Sequence, residues 1–235
     1  QMKTSAPRAS AAAAATSANE GVASGDDAFR PTSFLGLERA QVLANGNALM
    51  GLGGLNLALG MGNNVEVGGN LGLNLAVSPF SLGIPVGVYG KMLLPVNFLP
   101  NMTVALGANV GATLASTGTG FSAGVFLPLS FWRLGPGNLH VVPMIGSTAG
   151  LGLGYELPVT SKWTLHIANS TGMALGGAGT VTNALTLGNR VALTPNLTAD
   201  VGSISLSGTN LSVNLFSIGG TFGGRLADVR SAWGL

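Results

Sequence analysis

The chain has 235 residues, only 8% of them charged, and a net charge of +2. A soluble globular domain carries about three times that charged share, so a water-facing surface is excluded over much of the length. The small net charge, with no basic cluster interleaved with aromatics, argues against a nucleic-acid partner. The absence of cysteine removes disulfides and thiolate metal sites and fits an exported protein.

The charge shortage is regional. From Ala40 to Gly224 there are seven charged residues: Glu66, Lys91, Arg133, Glu156, Lys162, Arg190 and Asp200. The long middle therefore faces something other than water. No run of about 18 apolar residues exists to cross a membrane as a helix, because Gly, Asn, Ser, Thr and Pro interrupt every candidate. The other arrangement that satisfies its backbone in lipid is a closed sheet.

In chain order, residues 1–32 form a low-complexity tail with five consecutive alanines at 11–15, too polar to bury a core. No secretory signal is visible, so a leader is expected to have been removed. Residues 33–46 begin with Ser33 as an N-cap candidate, continue with good helix formers and stop at Asn45-Gly46, which predicts a short helix. That helix is a candidate plug or periplasmic segment.

From about residue 47 the hydrophobic period becomes two. In 102–115, Val104, Leu106, Ala108, Val110, Ala112 and Leu114 alternate with Thr103, Gly107, Asn109, Gly111 and Thr113. The stretches 70–77, 151–157, 163–170 and 181–193 repeat the pattern. Alternation over about 8–14 residues exceeds the usual soluble strand and matches a membrane-spanning one. Turn signals divide the region into ten strands, near 48–61, 64–77, 84–95, 102–115, 121–133, 139–157, 163–175, 180–193, 197–207 and 210–222. The sixth is too long for a plain strand, and a turn at Gly146-Ser147 would raise the count, with twelve as the even-numbered alternative. The expected fold is all-β: an antiparallel up-and-down transmembrane β-barrel over 47–224, with a short C-terminal tail at 225–235.

Phe80, Phe98, Phe121, Phe131, Trp132, Tyr155, Trp163 and Phe222 fall near predicted strand ends, where a membrane-interface girdle would place them. On this pattern, residues 48–222 resemble bacterial outer-membrane β-barrel proteins as a class. Two features depart from that class: the last strand ends near Phe222 and not at a terminal aromatic, and every predicted loop is short. The resemblance implies residence in a bacterial outer membrane with the lipid bilayer as the main partner.

Alternation assigns Glu66, Lys91, Glu156, His166, Arg190 and Asp200 to the lumen face, since each shares its phase with Gly, Asn, Thr or Ser. These six read either as a charged constriction that sets ion selectivity or as a structural network of paired charges. The small inner residues leave room for an open pore or for the 33–45 helix as a plug.

No catalytic site, metal site or cofactor is expected. His166 and Ser170 lie four apart in one strand, about 13 Å at strand rise, and no spacing pairs His140 with Glu156. Gly150-Leu-Gly-Leu-Gly154 is strand alternation with no helix following it. The expected function is a porin-like channel or a structural component of a larger assembly, with the tail 1–32 as a candidate protein contact. The alternative is a secreted β-rich protein that self-assembles into fibres or a surface layer, as stacked strands with few charges would allow.

Overall fold

A computed structural model describes residues 31–227 apart from 53–54, 63, 73, 78–79, 97, 116–117, 176–180, 208–209 and 215–218. The predicted tail up to residue 30 and the C-terminal stretch from 228 lie outside the described residues. So do the side chains of Phe80 and Phe222.

Twelve antiparallel strands are present among the described residues. They are β1 (Asn47–Leu52), β2 (Leu55–Met61), β3 (Val65–Leu71 and Asn74–Val77), β4 (Phe80–Leu94), β5 (Met102–Ala115) and β6 (Gly118–Phe126 and Leu129–Leu134). Then follow β7 (Gly137–Gly146), β8 (Thr148–Pro158), β9 (Trp163–Ala174), β10 (Val181–Thr194), β11 (Leu197–Ser207) and β12 (Asn210–Asn214 and Gly219–Arg225). The two halves of β3, β6 and β12 pair with the same neighbours, so each is one interrupted strand. Every strand pairs with its successor, and β12 pairs back onto β1 from Gly220↔Leu52 to Arg225↔Asn47. The ladder is a closed ring, an up-and-down barrel with no free edge.

The count of ten is corrected to twelve at two places. The predicted strand 48–61 folds back on itself, with Leu52 opposite Leu55. The predicted strand 139–157 does the same about Ser147, whose backbone N–H donates to the Ala123 carbonyl (2.8 Å). Each point carries a glycine turn signal, Gly53-Gly54 and Gly146-Ser147. The first lies inside a predicted strand, and the second is the turn expected to raise the count, with twelve as the alternative.

Alternation then sorts the side chains. Val88, Val110 and Ile167 point outward and are about half exposed, as are Leu57, Leu153 and Leu187. An apolar outer face of this extent, wrapped around a closed ladder, is a lipid-facing surface. Among the described residues no helix is long and apolar enough to cross a membrane.

Both ends of the ring, β1 and β12, meet at one mouth, here the near mouth. The connections β2–β3, β4–β5, β6–β7, β8–β9 and β10–β11 lie there too, and the remaining hairpins form the far mouth.

The predicted helix at 33–46 is not formed. Ser33 pairs with Glu38 and Phe34 with Leu37 in a short hairpin. Its two tip residues, Leu35 (φ 46°) and Gly36 (φ 79°), both take the left-handed region that a two-residue hairpin turn requires. Residues 39–45 continue as irregular chain inside the ring, where Ala40, Val42 and Leu43 have no exposed surface. A helix would leave half of its side chains polar and outward. Here the segment is enclosed on every side, and its backbone finds partners on the wall.

Candidate functional site

The site is the junction between residues 31–45 and the inner wall. A ring of twelve strands lined by small residues is wider than its own side chains fill, and the segment occupies the near half of that space. The charged and polar wall groups it meets all lie within four positions of the near-mouth end of their strands.

One cluster centres on Glu66 of β3. Its carboxylate accepts hydrogen bonds from Thr32 Oγ1 (2.7 Å), the Leu43 backbone N–H (3.0 Å) and Tyr89 Oη (2.9 Å). Lys91 Nζ of β4 lies 3.5 Å from the same carboxylate and 2.9 Å from Glu38 Oε2 of the segment. Lys91 and Glu66 are fully buried. Two buried charges are tolerable only when they are paired and hydrogen-bonded, and here the enclosed segment supplies part of that pairing.

A second cluster surrounds Glu156 of β8. It forms an ion pair with Arg39 of the segment. His140 Nε2 lies 3.2 Å from Glu156 Oε2, and His166 Nδ1 lies 3.5 Å from Oε1. His140 Nδ1 is 2.8 Å from Ser130 Oγ, which also accepts the Ala40 backbone N–H (2.8 Å). A third contact joins Arg190 of β10 to Asp200 of β11 through two hydrogen bonds (2.7 and 3.0 Å) and to the Ser33 carbonyl (3.1 Å).

Glycines on the wall seat the apolar residues of the segment. A methyl group at Gly152 would lie 2.3 Å from Leu37, one at Gly188 would lie 2.7 Å from Leu35, and one at Gly60 would meet the Ala44 carbonyl at 2.1 Å. The fit is steric as well as electrostatic.

Of the six lumen residues read from the sequence, Glu66, Lys91, Glu156, His166 and Arg190 are buried against the segment. Asp200 is partly exposed and bound to Arg190. The lumen set read from the sequence left out Tyr89, Ser130 and His140, although each shares its strand phase with a residue that faces inward. It also omitted Thr32, Glu38 and Arg39, whose partners lie on distant strands.

Among the aromatics, Phe131, Tyr155 and Trp163 lie on the outward phase near the near mouth, and Phe98 is exposed in the β4–β5 connection. Phe121 is exposed on the outer face of β6. Trp132 is corrected: it shares the inward phase of Ser130. Its indole N–H donates to Thr103 Oγ1 (2.8 Å), and its ring meets His140 edge-on at 5.6 Å. Phe131 and Trp132 are consecutive in one strand, so only one of them can face lipid.

Two cavities flank the segment. One of about 730 Å³ fills the far half and is lined by Asn56, Asn70, Asn109, Thr113 and Ser122 among others. One of about 250 Å³ opens toward the near mouth beside Arg39, Gln41, Lys162 and Thr164. Among the described residues no group of three or more His, Asp or Glu is arranged to hold a metal ion. Ser130, His140 and Glu156 form a hydrogen-bonded chain, but Ser130 is wholly buried and its oxygen is already bonded to the backbone of Ala40.

No protein-family model matches the chain, and no curated protein matches it. Among solved structures it is similar to the KdgM porin in complex with disordered oligogalacturonate, at 10% identity over 75% of this chain and 95% of that one, with a TM-score of 0.46. A second similar structure comes from work on the in-meso crystallization of membrane proteins, at 13% identity over 77% of this chain and 83% of that one, with a TM-score of 0.43.

Proposed function

We propose that the chain is a porin-like barrel of a bacterial outer membrane whose conduction path is closed by its own residues 31–45. The carrying observation is that Glu38 and Arg39 of this segment pair with the buried wall charges Lys91 and Glu156. Charges paired in this way hold a segment in place because displacing it breaks ion pairs that have already been desolvated. The lumen charges are then a closure network first, and they line an ion path only when the segment is displaced. The ring closure also disfavours the fibre reading, which needs an unpaired strand edge. We assign no catalysis to the Ser130–His140–Glu156 chain, since a nucleophile needs access to its substrate.

The test uses the absence of native cysteine. Leu37→Cys with Gly152→Cys places two thiols where the side chain of one residue lies over the other. In planar bilayers the oxidised variant should stay closed, while Lys91→Met, which loosens the segment, should raise conductance. Loss of that increase when the disulfide is introduced into the Lys91→Met background completes the case. Equal high conductance in the oxidised and reduced forms would overturn it.

A further inference from the structure

The near-mouth cavity of about 250 Å³ gathers cationic side chains from three separate elements: Arg39 of the enclosed segment, Arg190 of β10 and Lys162 of the β8–β9 connection. Among the described residues one carboxylate borders it, that of Glu156, and Arg39 already pairs with this group. Asp200 holds Arg190 but borders the far cavity instead. Arg190 donates two hydrogen bonds to Asp200 and one to the Ser33 carbonyl, so each of its terminal nitrogens carries a further N–H. No carboxylate pairs with Lys162 among the described residues. Its backbone is nonetheless fixed, with the N–H donating to Thr160 Oγ1 (3.2 Å) and the carbonyl accepting the Ala192 N–H (2.7 Å). Two neutral polar side chains also border the cavity, Gln41 of the segment at 8% exposure and Thr198 of β11 at 2%. Among the described residues neither side chain has a hydrogen-bond partner. Buried polar groups in that condition are satisfied by a bound molecule or by ordered water.

We propose that this cavity binds a small phosphate-like oxyanion, held by Lys162, Arg190, Arg39, Gln41 and Thr198. Cations lining a concave site with low-dielectric walls focus a positive potential on its interior. The donors come from four elements, which suits the oxygens of a tetrahedral anion better than the single plane of a carboxylate. The volume lies below the roughly 300–1,000 Å³ of sites for drug-sized ligands, so the occupant is a small ion with a few waters. The wall strands stand between the cavity and the lipid-facing surface, and the anion therefore enters from the water at the near mouth. Once bound it bridges Arg39 and Gln41 of the segment to Lys162, Arg190 and Thr198 of the wall. Occupancy then strengthens closure, a consequence that rests on residues 31–45 being the closing element.

Calorimetric titration of the full chain in nanodiscs of zwitterionic lipid, with inorganic phosphate added at constant ionic strength, tests the site. Phosphate should bind saturably at one site per chain. Lys162→Gln, a change at an exposed position, should weaken binding about tenfold, the effect of losing one hydrogen bond to a charged group. Gln41→Leu should weaken it by a smaller factor, and Arg133→Gln, at the near mouth but outside the cavity, should leave it unchanged. Absence of saturation, equal affinity in Lys162→Gln and the parent, or an equal loss in Arg133→Gln would each overturn the proposal. Planar bilayers then read the consequence separately. Phosphate should lower the conductance of Lys91→Met several-fold and leave that of Lys91→Met with Lys162→Gln unaffected; binding without this difference would overturn the bridging role. If Lys91→Met conducts no better than the parent before phosphate is added, the closure reading fails, while the titration still decides the anion site.

Discussion

Lys91 lies between two carboxylates of different origin, with Glu66 on the neighbouring wall strand at 3.5 Å and Glu38 on the enclosed segment at 2.9 Å. One ammonium therefore ties the segment to the barrel and neutralises a wall charge that has no contact with water. Lys91→Met should cost about 3–5 kcal/mol, the range for removing one partner of a buried pair. Urea unfolding of the barrel in lipid measures this. The double variant Glu66→Gln with Lys91→Met should recover part of the loss, because no uncompensated wall charge then remains.

The wall glycines give a steric prediction. Gly152→Val puts a side chain where Leu37 now sits, so the segment should be displaced and single-channel conductance should rise with the barrel itself intact. Leu37→Ala in the same chain should restore closure. If Gly152→Val conducts no better than the parent, Leu37 does not hold the segment in its seat.

The two faces of the wall should respond differently to one charge. Val88→Arg places a cation on the outer face, with an expected cost of about 2–4 kcal/mol if it lies near the bilayer midplane. Asn109→Arg points into the far cavity and should cost far less. Comparing their unfolding free energies in bilayers checks the phase assignment on two neighbouring strands.

Tryptophan position gives an optical check. In chains that keep one tryptophan each, brominated lipid should quench Trp163, on the outward phase, and leave Trp132 largely unquenched beside Thr103 and His140. Equal quenching would return Trp132 to the lipid face.

Ser130 is expected to be structural. Ser130→Ala leaves the Ala40 N–H and His140 Nδ1 each short of a partner and should destabilise the protein by about 1–3 kcal/mol. Ester hydrolysis by the parent chain and by Ser130→Ala should be indistinguishable at equal folded protein. A hydrolytic rate that falls with the substitution would assign Ser130 a catalytic role.

What the sequence determined by itself is local. The two-residue period separates Val88 from Lys91 and Ile167 from His166 within a single strand, because successive side chains leave a strand on opposite faces. The scarcity of charge on the long middle says that one of those faces meets no water. Neither feature depends on which strands are neighbours.

The tertiary structure decided everything that depends on distant partners. Residues 33–46 have a helix-like pattern, but wall groups at Ser130 and Glu66 take up the N–H groups of Ala40 and Leu43, and enclosure removes the need for a polar face. The pairing of His140 with Glu156 follows from β7 lying beside β8, a neighbourhood set by the turn at Gly146-Ser147, which the sequence leaves open between a bulge and a turn. Enclosure of the segment is likewise a property of the ring, because the partners of Glu38 and Arg39 lie on distant strands that only the closed ladder brings around them.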